Sequence, residues 1–267
     1  MRGTVRKITT PRRVVIDLMH ASRGVPFVAV RRTLNIARLA SARSALSQRP
    51  AWAVIFAKGF AALAREEPRL RTVFLKWPYA RFYELPQTVA NIVVAPTASP
   101  DGVMLFPIKA PDLVPLMEAD TALRNAKSEP IESTPFFRKT LSVTRLPLPL
   151  RRLAWAIGLN IGRQRGNFFG TLLITSVAAF GGGEVEALGP GPYIFSYDRV
   201  TDDGFIDVMV RWDHRITDAA DIGIALSRLE QILNNQVADE LLALAPEGQE
   251  PASHERIASR QVGRISR

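Results

Sequence analysis

The chain has no cysteine and only three histidines among its 267 residues. Without cysteine there is no disulfide framework, thiol nucleophile or thiolate metal site, and three scattered histidines do not suggest zinc. Long apolar runs are missing too. No window holds the roughly 18 uninterrupted apolar residues that a membrane-spanning helix needs, and the opening MRGTVRKITTPRR has no apolar stretch of a secretory signal. A cytoplasmic location is the default expectation. Acidic residues are the scarcer sign of charge, 25 Asp and Glu against 35 Lys and Arg, for a formal net charge of +10. Catalysis, if present, falls to His, Ser, Thr and carboxylates.

The basic excess has two readings: a soluble, Arg-rich surface, or an anionic partner such as coenzyme A phosphates, an acidic membrane or nucleic acid. No zinc-finger spacing, RNP-like aromatic motif or helix-turn-helix signature accompanies the charge, which disfavours nucleic acid. Apolar residues are plentiful. With 47% hydrophobic and 22% charged residues, the chain can bury the core of one large domain or two small ones.

A basic arm over 1–11 precedes a helical pattern from Arg12 to Ser22, and β-branched residues predict a strand over Val25 to Ile36. Apolar residues three and four apart predict helices over Ile36 to Ser47 and Trp52 to Glu67, the second largely buried and stopped by Pro68. Leu70 to Tyr83 is an aromatic-rich, strand-like stretch. Strands from Asn91 and over DGVMLFPIK from Asp101 suggest a hairpin, and Asp112, behind Pro111, is the expected N-cap of a helix reaching Ala126.

Thr140 to Gly166 is the least typical segment, mixing prolines, Leu, Trp and Ile with five arginines. It reads as an extra helix pair packed on the core, or as a basic amphipathic cover that lines a substrate tunnel or touches a membrane. FFGTLLITSVAAF, YIFSYD and FIDVMVRWDH then read as three strands, the last two joined by a tight DDG turn. Ala219 to Leu244 is a long amphipathic helix with Ile222, Ala225, Leu226, Leu229, Ile232 and Leu233 on one side. The tail over 246–267 is polar, basic and expected to be disordered.

The candidate chemistry lies where a strand emerges into charge, at Asp213, His214 and Arg215, with Asp218 just ahead of the long helix. A lone histidine at a strand end is more often structural than catalytic. This one, however, sits in a pattern: Asp213, His214, Arg215 and Asp218 match D-H-R-x-x-D-G, with Ala219 at the glycine. That motif resembles the C-terminal signature of dihydrolipoyl acyltransferase catalytic domains of 2-oxo acid dehydrogenase complexes, which share a fold with chloramphenicol acetyltransferase.

Other segments resemble the same family in the same order. Arg12, Ile16, Met19 and Ser22 sit like its opening helix, Ile16 offset by one; Asn91 to Ala95 and Asp101 to Lys109 are similar to two of its strands; and GTLLITSVAAFGG from Gly170 puts Thr175 where the family has a serine. The likeness runs from Arg12 to Asn234, with 140–166 as an insertion. It implies a single α/β domain over 12–245, a mixed sheet flanked by helices, and a homotrimer with active sites between subunits. It further implies acyl transfer from acyl-CoA or a related thioester to a small hydroxyl, amine or thiol acceptor, with no permanently bound cofactor and no metal.

The site roles are likewise implied by the resemblance. An imidazole titrates near neutrality and suits the base that deprotonates the acceptor, which is the role for His214. A fixed hydroxyl stabilises the oxyanion, the role for Thr175. The motif's second aspartate pairs with an arginine of the first helix to hold the histidine loop, which assigns Asp218 to Arg12, with Arg13 as the fallback. The sequence departs from the family at Ala219, at the turn Thr175-Ser176-Val177-Ala178 and in having no lipoyl domain, peripheral-subunit-binding domain or Ala/Pro linker ahead of the catalytic part. These departures put the acceptor in question and disfavour a role as an ordinary complex core. Two alternatives remain: a non-catalytic trimeric scaffold of the same fold, and a peripheral membrane protein that handles lipid.

Overall fold

The computed structural model describes residues 1–95 and 101–245; the tail expected to be disordered lies outside the described residues. The chain opens with α1 (Thr10–Ser22), β1 (Phe27–Asn35), α2 (Ala37–Ser44) and α3 (Trp52–Glu66). Then come β2 (Thr72–Leu75), β3 (Arg81–Glu84), β4 (Val89–Val94), β5 (Met104–Lys109) and α4 (Leu116–Ser128). Next come α5 (Pro135–Thr144), α6 (Leu148–Asn160) and α7 (Gly162–Phe169). The chain continues through β6 (Leu172–Thr175), β7 (Tyr193–Tyr197), β8 (Phe205–Asp213) and α8 (Ala219–Ile232), and a π-helical turn at Leu233–Val237 leads into α9 (Ala238–Ala243).

Six strands form one mixed sheet in the order β1-β8-β7-β6-β4-β5, and β2 and β3 pair separately. This is the α/β architecture with a helix-flanked mixed sheet that the resemblance implies. Alternate residues of the central strands serve opposite faces. Leu172, Ile174, Tyr193, Phe195, Val208, Val210 and Trp212 join the cluster that includes α3 and α8, whereas Leu173 and Ile194 join the one that includes α1 and α5. Helix α3 is apolar nearly all round and accordingly buried, with Phe56 stacked 4.9 Å from both Phe195 and Tyr197.

Four expectations need correction. Leu70 to Tyr83 is not one strand but the hairpin β2–β3, because Pro78 cannot donate to a ladder and divides the run. Helix α4 starts at Leu116 with Pro115 at its cap, since the residue before a proline resists helical backbone; Asp112 instead pairs with Arg65 at 3.3 Å. The segment over 140–166, expected as a helix pair, instead spans the end of α5, all of α6 and the start of α7. Phe168 and Phe169 close α7, so the strand expected around them is only the four residues of β6.

Helix α6 is tied to the first helix by a buried ion pair. Asp17 of α1 is fully enclosed and meets Arg151 at 2.8 Å and Arg152 at 3.3 Å. Burial pushes the Asp17 carboxyl up from its ordinary range, and the two guanidinium groups oppose that shift.

The DDG turn between β7 and β8 closes with Gly204 at φ +80° and its carbonyl accepting from Ile36 N at 2.8 Å. A Cβ there would lie 2.4 Å from Ala37 Cα, so both the backbone angle and the space demand glycine. Gly204→Ala is expected to lower unfolding free energy by about 2–4 kcal/mol, whereas Gly24→Ala, with nothing within 4 Å of its added Cβ, stays within about 0.5 kcal/mol of wild type. Urea unfolding of both variants checks this, and equal midpoints would refute it.

Candidate active site

His214 is the first residue past β8. Strand alternation turns Trp212 into the core and Asp213 to the other face, where it is completely buried. A carboxylate in that position needs compensation. Arg215 folds back two residues later to supply it, donating Nε at 2.8 Å and Nη2 at 2.6 Å to the two Asp213 oxygens. The Arg215 backbone N–H adds a third bond to the carboxylate at 3.2 Å. With both neighbours so engaged, His214 is left at the rim, its side chain 44% exposed.

Its ring is nevertheless fixed. Nδ1 lies 3.1 Å from the Thr217 carbonyl oxygen, which also accepts from the Trp212 indole N–H at 2.9 Å. A carbonyl only accepts, so in the neutral ring this contact places the proton on Nδ1 and leaves the Nε2 lone pair free. Asp218 comes within 3.6 Å of the same Nδ1. The Thr217 hydroxyl donates to Asp221 at 2.9 Å, holding that carboxyl below its ordinary range, and Asp221 pairs with Arg69 at 2.8 Å. The turn is thus tied to both α8 and the segment after α3.

The partner expected for Asp218 is different. Arg12 binds Asp101, with Nε at 3.0 Å and Nη2 at 2.9 Å, and Thr9 also donates to that carboxylate, holding it below its ordinary range. Within the chain neither Arg12 nor Arg13 meets Asp218; the aspartate is next to the histidine itself. Asp101 outcompetes it because Asp101 and Gly102 approach α1 directly, Gly102 lying against Pro11.

Thr175 ends β6 on the face that Leu173 helps cover. It is half-buried, and its hydroxyl makes no hydrogen bond among the described residues. The structure does not bring it to His214 within one chain. Thr175 pairs with Ser196 and Ser196 with Met209, five residues before His214 on an antiparallel strand. At about 3.4 Å per residue that is roughly 17 Å along the sheet, so the two side chains lie at opposite ends.

Sequence reasoning missed several supports. Arg215 also stacks 4.2 Å above the Phe74 ring of β2. Arg165, from the insertion, is buried near Asp213; burial holds its guanidinium down to about 10, with the Asp213 charge opposing, and it donates to the Pro190 carbonyl at 2.8 Å. A buried arginine in an unfamiliar segment carries no motif, and a backbone carbonyl such as that of Thr217 has no residue identity to read. Phe136 of α5, Trp155 of α6 and Phe168 of α7 also wall an apolar cavity of about 100 Å³ with Val14 and Leu18 of α1. Among the described residues no three His, Cys, Asp or Glu side chains gather as a metal-ligating group.

No family model matches the sequence, and no curated protein matches it. Solved structures do. A probable dihydrolipoamide acetyltransferase from Listeria monocytogenes superposes with TM-score 0.61 at 15% identity, over 93% of this chain and 98% of its own. A truncated catalytic core of the 2-oxoacid dehydrogenase multienzyme complex from Thermoplasma acidophilum gives TM-score 0.64 at 17% identity, over 87% and 99%. The fold is that of the dihydrolipoyl acyltransferase catalytic core. A third structure with this acyltransferase fold, the dihydrolipoamide acetyltransferase of Azotobacter vinelandii, has TM-score 0.61 and 17% identity over 88% of this chain and 94% of its own; a serine, a histidine and an asparagine were investigated for roles in its catalytic mechanism.

The Asp213–Arg215 pair makes a direct prediction. Arg215→Ala leaves a buried carboxylate without its main partner and is expected to cost about 3–5 kcal/mol of stability, whereas Arg163→Ala, at an exposed position of the same acyltransferase fold, changes it by less than about 0.5 kcal/mol. Denaturant titration of the two variants decides it; similar midpoints would count against the pair.

Proposed function

We propose that the chain is an acyltransferase that moves an acyl group from a CoA-type thioester to a small hydroxyl, amine or thiol acceptor, at a site shared between copies of the chain. The observation that carries the reading is the His214 ring, clamped through Nδ1 so that Nε2 is the free, rim-facing base.

In the proposed reaction Nε2 takes the proton of the acceptor O–H, N–H or S–H as the heteroatom attacks the thioester carbonyl carbon. The carbonyl oxygen becomes an oxyanion, and the Thr175 hydroxyl of a neighbouring copy donates to it, a contact worth on the order of 3 kcal/mol in comparable sites. Collapse of the tetrahedral species re-forms the carbonyl and breaks the C–S bond. The proton on the imidazolium passes to the leaving thiolate, and His214 returns to neutral. Asp218, beside Nδ1, steadies the imidazolium while it is charged. The asparagine investigated in the Azotobacter enzyme is likewise four positions after its histidine, which supports assigning Asp218 this place. The opposite-end placement of His214 and Thr175 supports a site completed by association, and the family resemblance favours a homotrimer.

His214→Ala is expected to leave the fold intact, since the side chain is half-exposed, yet to reduce thioester transfer by roughly 10²–10⁴-fold. Thr175→Val should lower turnover by about 10²–10³-fold. Mixing the two variants under conditions that allow subunit exchange should recover activity neither has alone, because some interfaces then hold an intact histidine and an intact threonine. Steady-state assays over a panel of CoA thioesters and acceptors supply the readout. An unaltered rate in His214→Ala, or no recovery on mixing two inactive variants, would overturn the corresponding assignment.

A further inference from the structure

Helix α6 carries an apolar stripe that its own chain does not cover. Leu150, Leu153 and Ile157 fall within an arc of about 60° on the helix, and Leu146 before it and Ile161 after it continue the line. These five side chains are between 38% and 56% exposed. The other side of the helix is anchored by Arg151 at Asp17 and by Trp155, stacked 5.0 Å from Phe169. The stripe therefore cannot roll inward without breaking a buried ion pair.

The segment that carries the stripe bears charge of one sign. From Ser133 to Gly183 the chain has seven Lys and Arg and no Asp or Glu. Arg151, Arg152 and Arg165 are engaged internally. Arg138, Lys139, Arg145 and Arg163 are exposed and form no ion pair among the described residues. Exposed leucine and isoleucine lined up on one side of a helix, on a segment whose exposed charges are all cationic, with Lys139 lying over the Phe168 ring, form a surface that water suits poorly.

We propose that α6 and its flanking residues are a docking surface for an anionic lipid bilayer. The apolar stripe enters the boundary between headgroups and acyl chains, and the arginines and lysine meet lipid phosphates. Among the described residues no helix is long and apolar enough to cross a membrane, so this contact is interfacial. Charge complementarity favours lipid over a second copy in face-to-face contact, which would set this basic surface against itself. The inference does not rest on the acyl-transfer reading.

The test is flotation of the full chain with vesicles of phosphatidylcholine alone or of phosphatidylcholine and phosphatidylglycerol in equal parts. The chain should bind the anionic vesicles roughly tenfold or more tightly than the neutral ones, and added salt should weaken that binding. Leu153→Glu with Ile157→Glu, and separately Arg145→Gln with Arg163→Gln, should each cut binding by about tenfold while unfolding temperature and thioester turnover stay at wild-type values. Absence of binding to anionic vesicles, or wild-type binding by both double variants, would overturn the proposal. So would an oligomer in solution that dissociates in the Leu153→Glu, Ile157→Glu variant, since that outcome assigns the stripe to another copy of the chain.

Discussion

A buried carboxylate governs the end of the sheet. Asp213 closes the longest strand pairing, between β1 and β8, and the strand's alternation leaves it no way out to solvent. An isolated charge there would cost several kcal/mol, so Arg215 must return to it and the chain must turn at once. That turn brings the Thr217 carbonyl under both the Trp212 indole and the His214 ring. The rim position and tautomer of His214 are thus consequences of compensating its neighbour. The same constraint reaches outward: Arg215 lies on Phe74, the β2–β3 hairpin packs Tyr83 and Leu85 against the glycines of α7, and α7 sends Arg165 back toward Asp213. Helix α7 is in this sense part of the histidine's support.

Much of this was legible in the sequence because it rests on local chemistry. The alternation of FIDVMVRWD, the DDG turn and the 3.6-residue period of α3 and α8 each depend on neighbouring residues, and the observed elements follow them. The D-H-R-x-x-D spacing likewise held the side-chain contacts of Arg215 with Asp213 and of His214 with Thr217 and Asp218, which span at most four residues. Where the reading failed, the deciding partner was distant in sequence or lay in the backbone. Asp101 takes Arg12 across 89 residues, and nothing in either short segment ranks it above Asp218. Asp112 lost its cap role to the conformational effect of Pro115, and Asp17 gave no sign that two insertion arginines would bury it.

Sheet direction has a further consequence. β6 and β7 run parallel, so their carboxyl ends share one edge of the sheet, while β8 returns antiparallel and delivers His214 to the opposite edge. No side-chain rotation spans that separation. A base and an oxyanion donor must both lie within about 3 Å of one reacting group, so if these two residues act together they come from different copies. On the proposed reading, activity would follow protein concentration through the association equilibrium. The parts that sustain folding, the two apolar clusters and the Asp213 and Asp17 ion pairs, all lie within one chain, whereas His214 and Thr175 are the polar groups left half-exposed at its two ends. A chain built this way can be stable alone and still have no complete site.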